Sequence, residues 1–252
     1  MSAIAAVVRT FAGVVLVAAC ATTSRRASIV PVATPPSLAT AKTIDECFAA
    51  DTSTAWERVA RAFSRDTAHT WSDDDLRRRL LALADSDQMV RTSAGMQDSL
   101  GDAGFRRRMI ARDSASDAVL RGIVAARGWP TRSLVGIEGA HAAWLLLQHD
   151  SAYQAELLPR LEAEPGNEIA PADLAMLEDR VRVTTGRPQR YGSQLDAIVE
   201  GQPLRYSPIE DPAGVEARRA SVGLPPLRVY SCMMRVMYGR PVTPPDDSRR
   251  LK

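Results

Sequence analysis

Lysine is nearly absent from this 252-residue chain: Lys42 and Lys252 are the only two, and arginine supplies the other positive charges. The formal net charge is +2. So small an excess argues against a polyanion such as nucleic acid as partner. The arginine triplets at 77–79 and 106–108 lie inside helical patterns and read as solvated faces. Histidine and cysteine are scarce too, three of each. No cysteine has a neighbouring metal ligand at zinc-site spacing. No G-x-S-x-G nucleophile turn occurs, and neither a phosphate loop nor a dinucleotide fingerprint is present. What is there is ordinary for a folded chain, with 45% hydrophobic and 25% charged residues.

The first nineteen residues carry one charge, Arg9, followed by an apolar run over 10–19 and then Cys20. A membrane-spanning helix needs about 20 apolar residues, so this run is too short and reads as a signal peptide. Val17-Ala18-Ala19-Cys20 resembles the lipobox of bacterial lipoproteins, with Val17 where leucine is usual. That resemblance implies cleavage before Cys20, lipidation of its thiol, and a membrane partner reached through the lipid. By the same analogy, Ala21 after the cysteine implies the periplasmic face of the outer membrane. A rival cut exists, because Ala19-Cys20-Ala21 also fits ordinary secretory cleavage and would release a soluble protein. The expected organisation is a signal peptide over 1–19, a lipidated tether rich in Ser, Thr, Pro and Ala over 20–41, a mainly helical domain over 42–240, and a loose tail over 241–252.

Within the domain, apolar residues three and four apart predict helices over 44–50 and 54–65. Ser72 with Asp75 reads as a capping box that opens another, where Asp73, Asp74 and Asp75 suit the positive end of the helix dipole better than a cation. A helix over 102–127 is expected to bury Phe105, Met109, Ile110, Val119, Leu120, Ile123 and Val124, and to end at Gly128 and Pro130. The segment 139–148 is apolar enough to be the central buried helix, followed by helices over 153–163 and 170–183. Residues 187–194 alternate in character, and Gly201 with Pro203 marks a turn into 204–206. That pattern predicts a small β-hairpin near residues 187–207. Asp211-Pro212 opens a helix that ends near Gly223, and 224–238 forms a last apolar segment with Met233, Met234 and Met237 as packing residues. The fold class is therefore mostly α, one helical domain with a hairpin insertion. Cys47 and Cys232 remain once Cys20 is lipidated. Outside the cytoplasm a disulfide between them is allowed, worth up to about 4–5 kcal/mol in the chain-entropy model. Two buried thiols are the alternative, since spacing does not say whether the backbones approach within about 7 Å.

A series of short motifs follows one order along the chain: Gly128-Trp129-Pro130-Thr131, Gln148-His149-Asp150 with Tyr153-Gln154, Leu177-Glu178-Asp179-Arg180, then 186–194. Pro208-Ile209-Glu210-Asp211-Pro212, Arg218-Arg219 and Gly223-Leu224 close it. In these motifs the chain resembles a bacterial family catalogued as domain of unknown function 6624, over about residues 117–228, with Ser193 where threonine is expected. The resemblance implies a shared fold and no particular activity or cofactor.

The same stretch holds the candidate site. His149 lies eight residues after His141, which leaves the two imidazoles roughly 80° apart around a helix and about 12 Å apart along it. That is not the close pair of helical zinc motifs, so no metal site is expected. His149 is the candidate catalytic base, with Asp179 orienting it as a carboxylate orients a catalytic imidazole. The plainer reading is that His149 caps a helix end. Arg180 is placed to clamp an anion; the plainer reading of Asp179-Arg180 is an ion-pair network pinning the helix to the hairpin. Gln189, Tyr191 and Ser193 should share one strand face, with Arg190 and Gln194 on the other, and their amides and phenol suit a polar ligand. Two readings survive. One is a binding or structural module of the cell envelope that engages an envelope protein or polar polymer, which the missing catalytic signatures favour. The other is a hydrolase-like envelope enzyme using His149, Asp179, Arg180 and Gln189.

Overall fold

Thr43 accepts a hydrogen bond from the Glu46 backbone N–H at 3.1 Å, and Glu46 turns back to accept from the Lys42 N–H. This exchange satisfies donors that a helix start leaves orphaned, and it opens α1, Ile44–Ala49. The computed structural model describes residues 37–64, 70–91, 102–166, 168–199 and 201–245. The expected signal peptide, Cys20 and all but the last residues of the tether lie outside them. Those last residues form a turn over 38–40 and end on buried Ala41.

Each helix begins where local chemistry places it. α2 is Ala55–Ser64 and α3 is Asp74–Arg91. The cap of α3 is Asp73, whose Oδ1 accepts from the Leu76 N–H at 2.9 Å. Ser72, expected in that role, gives its N–H to the Ser133 carbonyl instead. Asp74 and Asp75 pair with Arg78 on the surface. Asp102 caps α4, Ala103–Arg127, and Asp150 caps α6, Ser151–Glu162. Between them runs α5, Arg132–Leu147, bent at Gly136 where φ is +74°. A Cβ there would lie 2.9 Å from the Trp71 ring, so both the conformation and the close approach call for glycine. α7 is Pro171–Thr184, with proline at the first turn.

The main core forms where α3, the second half of α4, α6 and α7 pack around α5. Ala140, Ala142 and Ala143 let neighbouring backbones approach closely, and Trp144, Leu146 and Leu147 fill the space beside them. The buried stripe expected for α4 is only half realised. Leu120, Ile123 and Val124 are buried, whereas Ile110 is 65% exposed. At about 1.5 Å per residue α4 is some 37 Å long and outruns its shorter partners α3 and α5.

A second core joins the ends of the described chain. α8, Val215–Ser221, packs on α2, and α9, Leu227–Tyr238, packs on α1. Cys47 and Cys232 form a disulfide with a Cα–Cα distance of 5.8 Å. It sits among Val229, Met233, Met234 and Leu204. The expected hairpin shrinks to two antiparallel backbone bonds, Asp196 N–H to Arg205 O and Ser207 N–H to Gln194 O. Leu204–Arg205 (β1) instead pairs in parallel with Val242–Thr243 (β2). The first residues of the expected tail are thus a strand. The helix after Asp211-Pro212 starts through a short 3-10 turn, and Asp211 is left-handed with φ +43° and makes no side-chain cap.

Candidate functional site

Asp179, on the third turn of α7, is fully buried. Four donors converge on its carboxylate: the backbone N–H groups of Arg190 at 2.6 Å, Tyr191 at 3.0 Å and Ser193 at 2.9 Å, and the Ser193 hydroxyl at 2.9 Å. The loop 189–194 cannot form a regular ladder, so its N–H groups need an acceptor, and a buried carboxylate is a strong one. Gln189, also fully buried, serves the same loop from the other side. Its amide donates to the Gln194 and Ser207 carbonyls at 2.9 and 2.7 Å, and its oxygen accepts from the Gln194 N–H at 2.8 Å. Gly192, with φ +68°, has Ile209 and Leu227 carbons 2.9 Å from where a Cβ would stand. Gln189, Tyr191 and Ser193 are all buried, and the left-handed Gly192 between them breaks the strand alternation that would set them on one face.

Arg219, 1% exposed, closes the assembly. Its guanidinium donates to the Pro225 and Tyr191 carbonyls, both at 2.6 Å, and lies 5.1 Å from the Tyr230 ring centroid. The Tyr230 hydroxyl donates to the Ser193 carbonyl at 2.8 Å, and burial pushes that phenol far up. Nothing in the pattern marked Arg219 beyond its place in the Arg218-Arg219 motif.

Arg180 turns the other way. Its three nitrogens each donate once, to Gln194 Oε1, Gln148 O and Gln148 Oε1, all at 3.2 Å. Among the described residues none of its hydrogen-bond partners is a carboxylate. Burial pulls its pKa down, against the pull of Tyr230 and Tyr238. The structure therefore brings Arg180 and Gln194 together and commits Gln189, Tyr191 and Asp179 to the interior.

The carboxylate that meets His149 is Asp87, not Asp179. His149 Nε2 stands 3.3 Å from Asp87 Oδ2. The reason is physical: both Asp179 oxygens are occupied by the loop. Asp87 is 2% exposed and also accepts from the Gln88 side-chain amide at 2.8 Å. α4 adds Asp113, and one ligand atom from each of Asp87, Asp113 and His149 lies within 4.8 Å of the others. One turn further along α4 is Asp117, whose Oδ1 is buried and has no hydrogen-bond partner among the described residues. Burial pushes the Asp117 carboxyl up, Asp150 and Asp113 push the same way, and His149 and Arg121 oppose them. Arg121 itself is paired with Asp150.

A signal for Asp87 does exist in the sequence. α3 buries Leu76, Leu80 and Ala84, and Asp87 continues that stripe. A charge on an apolar stripe marks a buried polar group. Asp113 and Asp117 share a face of α4 at i, i+4. His141 meets a different carboxylate. Its Nδ1 is 2.9 Å from Asp173 Oδ2 and its ring stacks on Trp144, which itself donates to the Asp173 carbonyl. Burial pulls the His141 imidazole down, but Asp173 outweighs it and the net shift is upward. Hollows open elsewhere, between 205–209 and 243–245 and over one side of α9.

The family model described as a family of unknown function (DUF6624) matches residues 74–243, about two thirds of the chain. The match begins at α3 and ends in β2, so it extends beyond the motifs of 117–228 and takes in Asp87 and Asp113. No curated protein and no solved structure matches the chain. The chain belongs to the DUF6624 family.

Proposed function

We propose that this member of the family is an exported lipoprotein of the cell envelope, tethered through Cys20, whose helical domain is a binding or structural module. The Cys47–Cys232 disulfide supports the export half, because such bonds persist in oxidising compartments and are rare in the cytosol. The observation that carries the binding half is Arg180. Its guanidinium is held in place by three neutral oxygens and is left without a carboxylate among the described residues. A fixed, largely desolvated guanidinium of this kind suits a carboxylate or phosphate group on a partner. The hydrolase reading retains His149 but loses Asp179 and Gln189, whose polar atoms are spent within the fold.

Cell fractionation tests the address. Cys20→Ala should move the protein from the membrane to the soluble fraction or block its maturation; an unchanged membrane location overturns the anchor. Thermal shift of the mature chain tests the binding half, with inorganic phosphate and a tripeptide bearing a free C-terminal carboxylate as probes. A rise in Tm that Arg180→Gln abolishes is the expected result. Equal shifts in both proteins, or none with either probe, overturn Arg180 as the contact.

A further inference from the structure

Four helices bring a different kind of site together around His149. α3 contributes Asp87, α4 contributes Asp113 and Asp117, and His149 stands in the short link between α5 and α6. Two observations point from this cluster to a ligand. The first is a distance. A charge-assisted hydrogen bond between imidazole and carboxylate normally spans about 2.7–2.9 Å, whereas Asp87 Oδ2 and His149 Nε2 are 3.3 Å apart. In a tetrahedral site with metal–ligand bonds of about 2.0–2.2 Å, neighbouring ligand atoms stand roughly 3.3–3.6 Å apart. The pair therefore already has the spacing of two ligands of one ion. The Asp113 oxygen, within 4.8 Å of both, needs about 1 Å of closure, which side-chain torsions supply. The second observation is independent of that triad. Asp117 Oδ1 is buried without a hydrogen-bond donor among the described residues, one turn from Asp113 on the same face of α4. A buried carboxylate oxygen beside another acid, with no donor, is satisfied by a cation.

We propose that Asp87, Asp113 and His149 bind a divalent transition-metal ion, with Asp117 closing the coordination directly or through water. One imidazole with two or three carboxylates fits Zn2+, Mn2+ or Fe2+. It does not fit Ca2+ or Mg2+, which favour oxygen ligands throughout. The Gln88 amide, bonded to Asp87, supplies the outer hydrogen bond that orients a ligating carboxylate. The expectation of no metal rests on the spacing of His141 and His149 and on cysteines without ligand neighbours. Ligands from two other helices do not show in that spacing.

The test is calorimetric titration of the mature chain, stripped by chelator and dialysed, with Zn2+ and separately with Mn2+. One ion per chain should bind, and His149→Ala and Asp113→Asn should each weaken binding by about a hundredfold or more, at least the loss seen when residues that only orient a metal's ligands are removed. Asp113 and His149 are chosen because Asp87 is buried and its loss risks the fold; circular dichroism of each variant confirms folding. His141→Ala should bind as the wild type does. Wild-type binding of both ions weaker than about 0.1 mM overturns the proposal. So does unchanged affinity in the folded His149 and Asp113 variants, or loss of binding in His141→Ala.

Discussion

Asp179 and Asp117 are both aspartates on long helices, and the protein treats them in opposite ways. Asp179 in α7 is fully buried and collects four hydrogen bonds from one loop. Asp117 in α4 keeps a buried oxygen with no donor among the described residues, with other acids close by. A carboxylate whose donors are all supplied by its own chain holds structure together. One that lacks donors from its own chain must take them from bound water or an ion. The motif-rich segment 186–194 belongs to the first kind. Asp117, beside the acids that meet His149, belongs to the second.

The largest effect expected from this contrast comes from removing Asp179. Asp179→Ala leaves three buried backbone N–H groups without an acceptor, at about 1–3 kcal/mol each. The summed loss is held to about 3–5 kcal/mol because the loop can reopen to water. For a chain of this size that is a fall in Tm of roughly 6–20 °C. Denaturant or thermal unfolding checks it. A loss under about 1 kcal/mol, the range of an ordinary surface change, would show that the loop does not depend on this anchor and would erase the contrast.

The helical architecture was legible because periodicity is local. Helix boundaries over 44–49, 55–64, 103–127 and 171–184 fall within a residue or two of those read from apolar spacing. The helix starts at Asp74, so Asp73 caps it, while the Ser72 N–H and hydroxyl both turn to the Ser133 carbonyl, a contact across 61 residues that no local pattern carries. Ile110 sits on the apolar stripe of α4 and is exposed because its helix outruns its neighbours. No full hairpin forms because Arg190, Tyr191 and Ser193 give their N–H groups to Asp179, and Gln189 makes only an isolated parallel bridge to Ile209. The candidate residues were legible as polar types but not as partners. Asp179, Arg180 and His149 stood out, whereas the pairing of His149 with Asp87 spans 62 positions.

A smaller effect concerns His141. His141 has its pKa raised by Asp173 against the pull of burial. A group whose folded pKa lies above its unfolded value contributes stability in full below the unfolded pKa, about 6.5 for histidine. That contribution fades as pH rises through the folded value. The wild type should therefore be more stable near pH 6 than near pH 8.5 by about 1 kcal/mol, the net size of one ordinary hydrogen bond. His141→Asn should flatten that slope. If the variant keeps the full slope, the titrating group lies elsewhere.

The smallest effect is the sharpest, because its sign differs from that of Asp179. The Asp117 carboxyl is pushed up first by burial and then by Asp150 and Asp113, so its charged form is disfavoured in the folded state. The resulting deficit opens as pH rises through the ordinary carboxylate range and persists at neutral pH. Asp117→Asn keeps the shape and removes the charge, so in chelator at pH 7 it should raise stability. The gain should be no more than about 0.5 kcal/mol, since Asp117 is only partly buried and solvent screens it. With Zn2+ present the order should reverse, because the wild type then gains binding free energy that the variant lacks. Tm measured for both proteins in both conditions gives four values. A variant less stable than the wild type in chelator would mean that Asp117 is held like Asp179, by the fold itself, and that its buried oxygen awaits no cation.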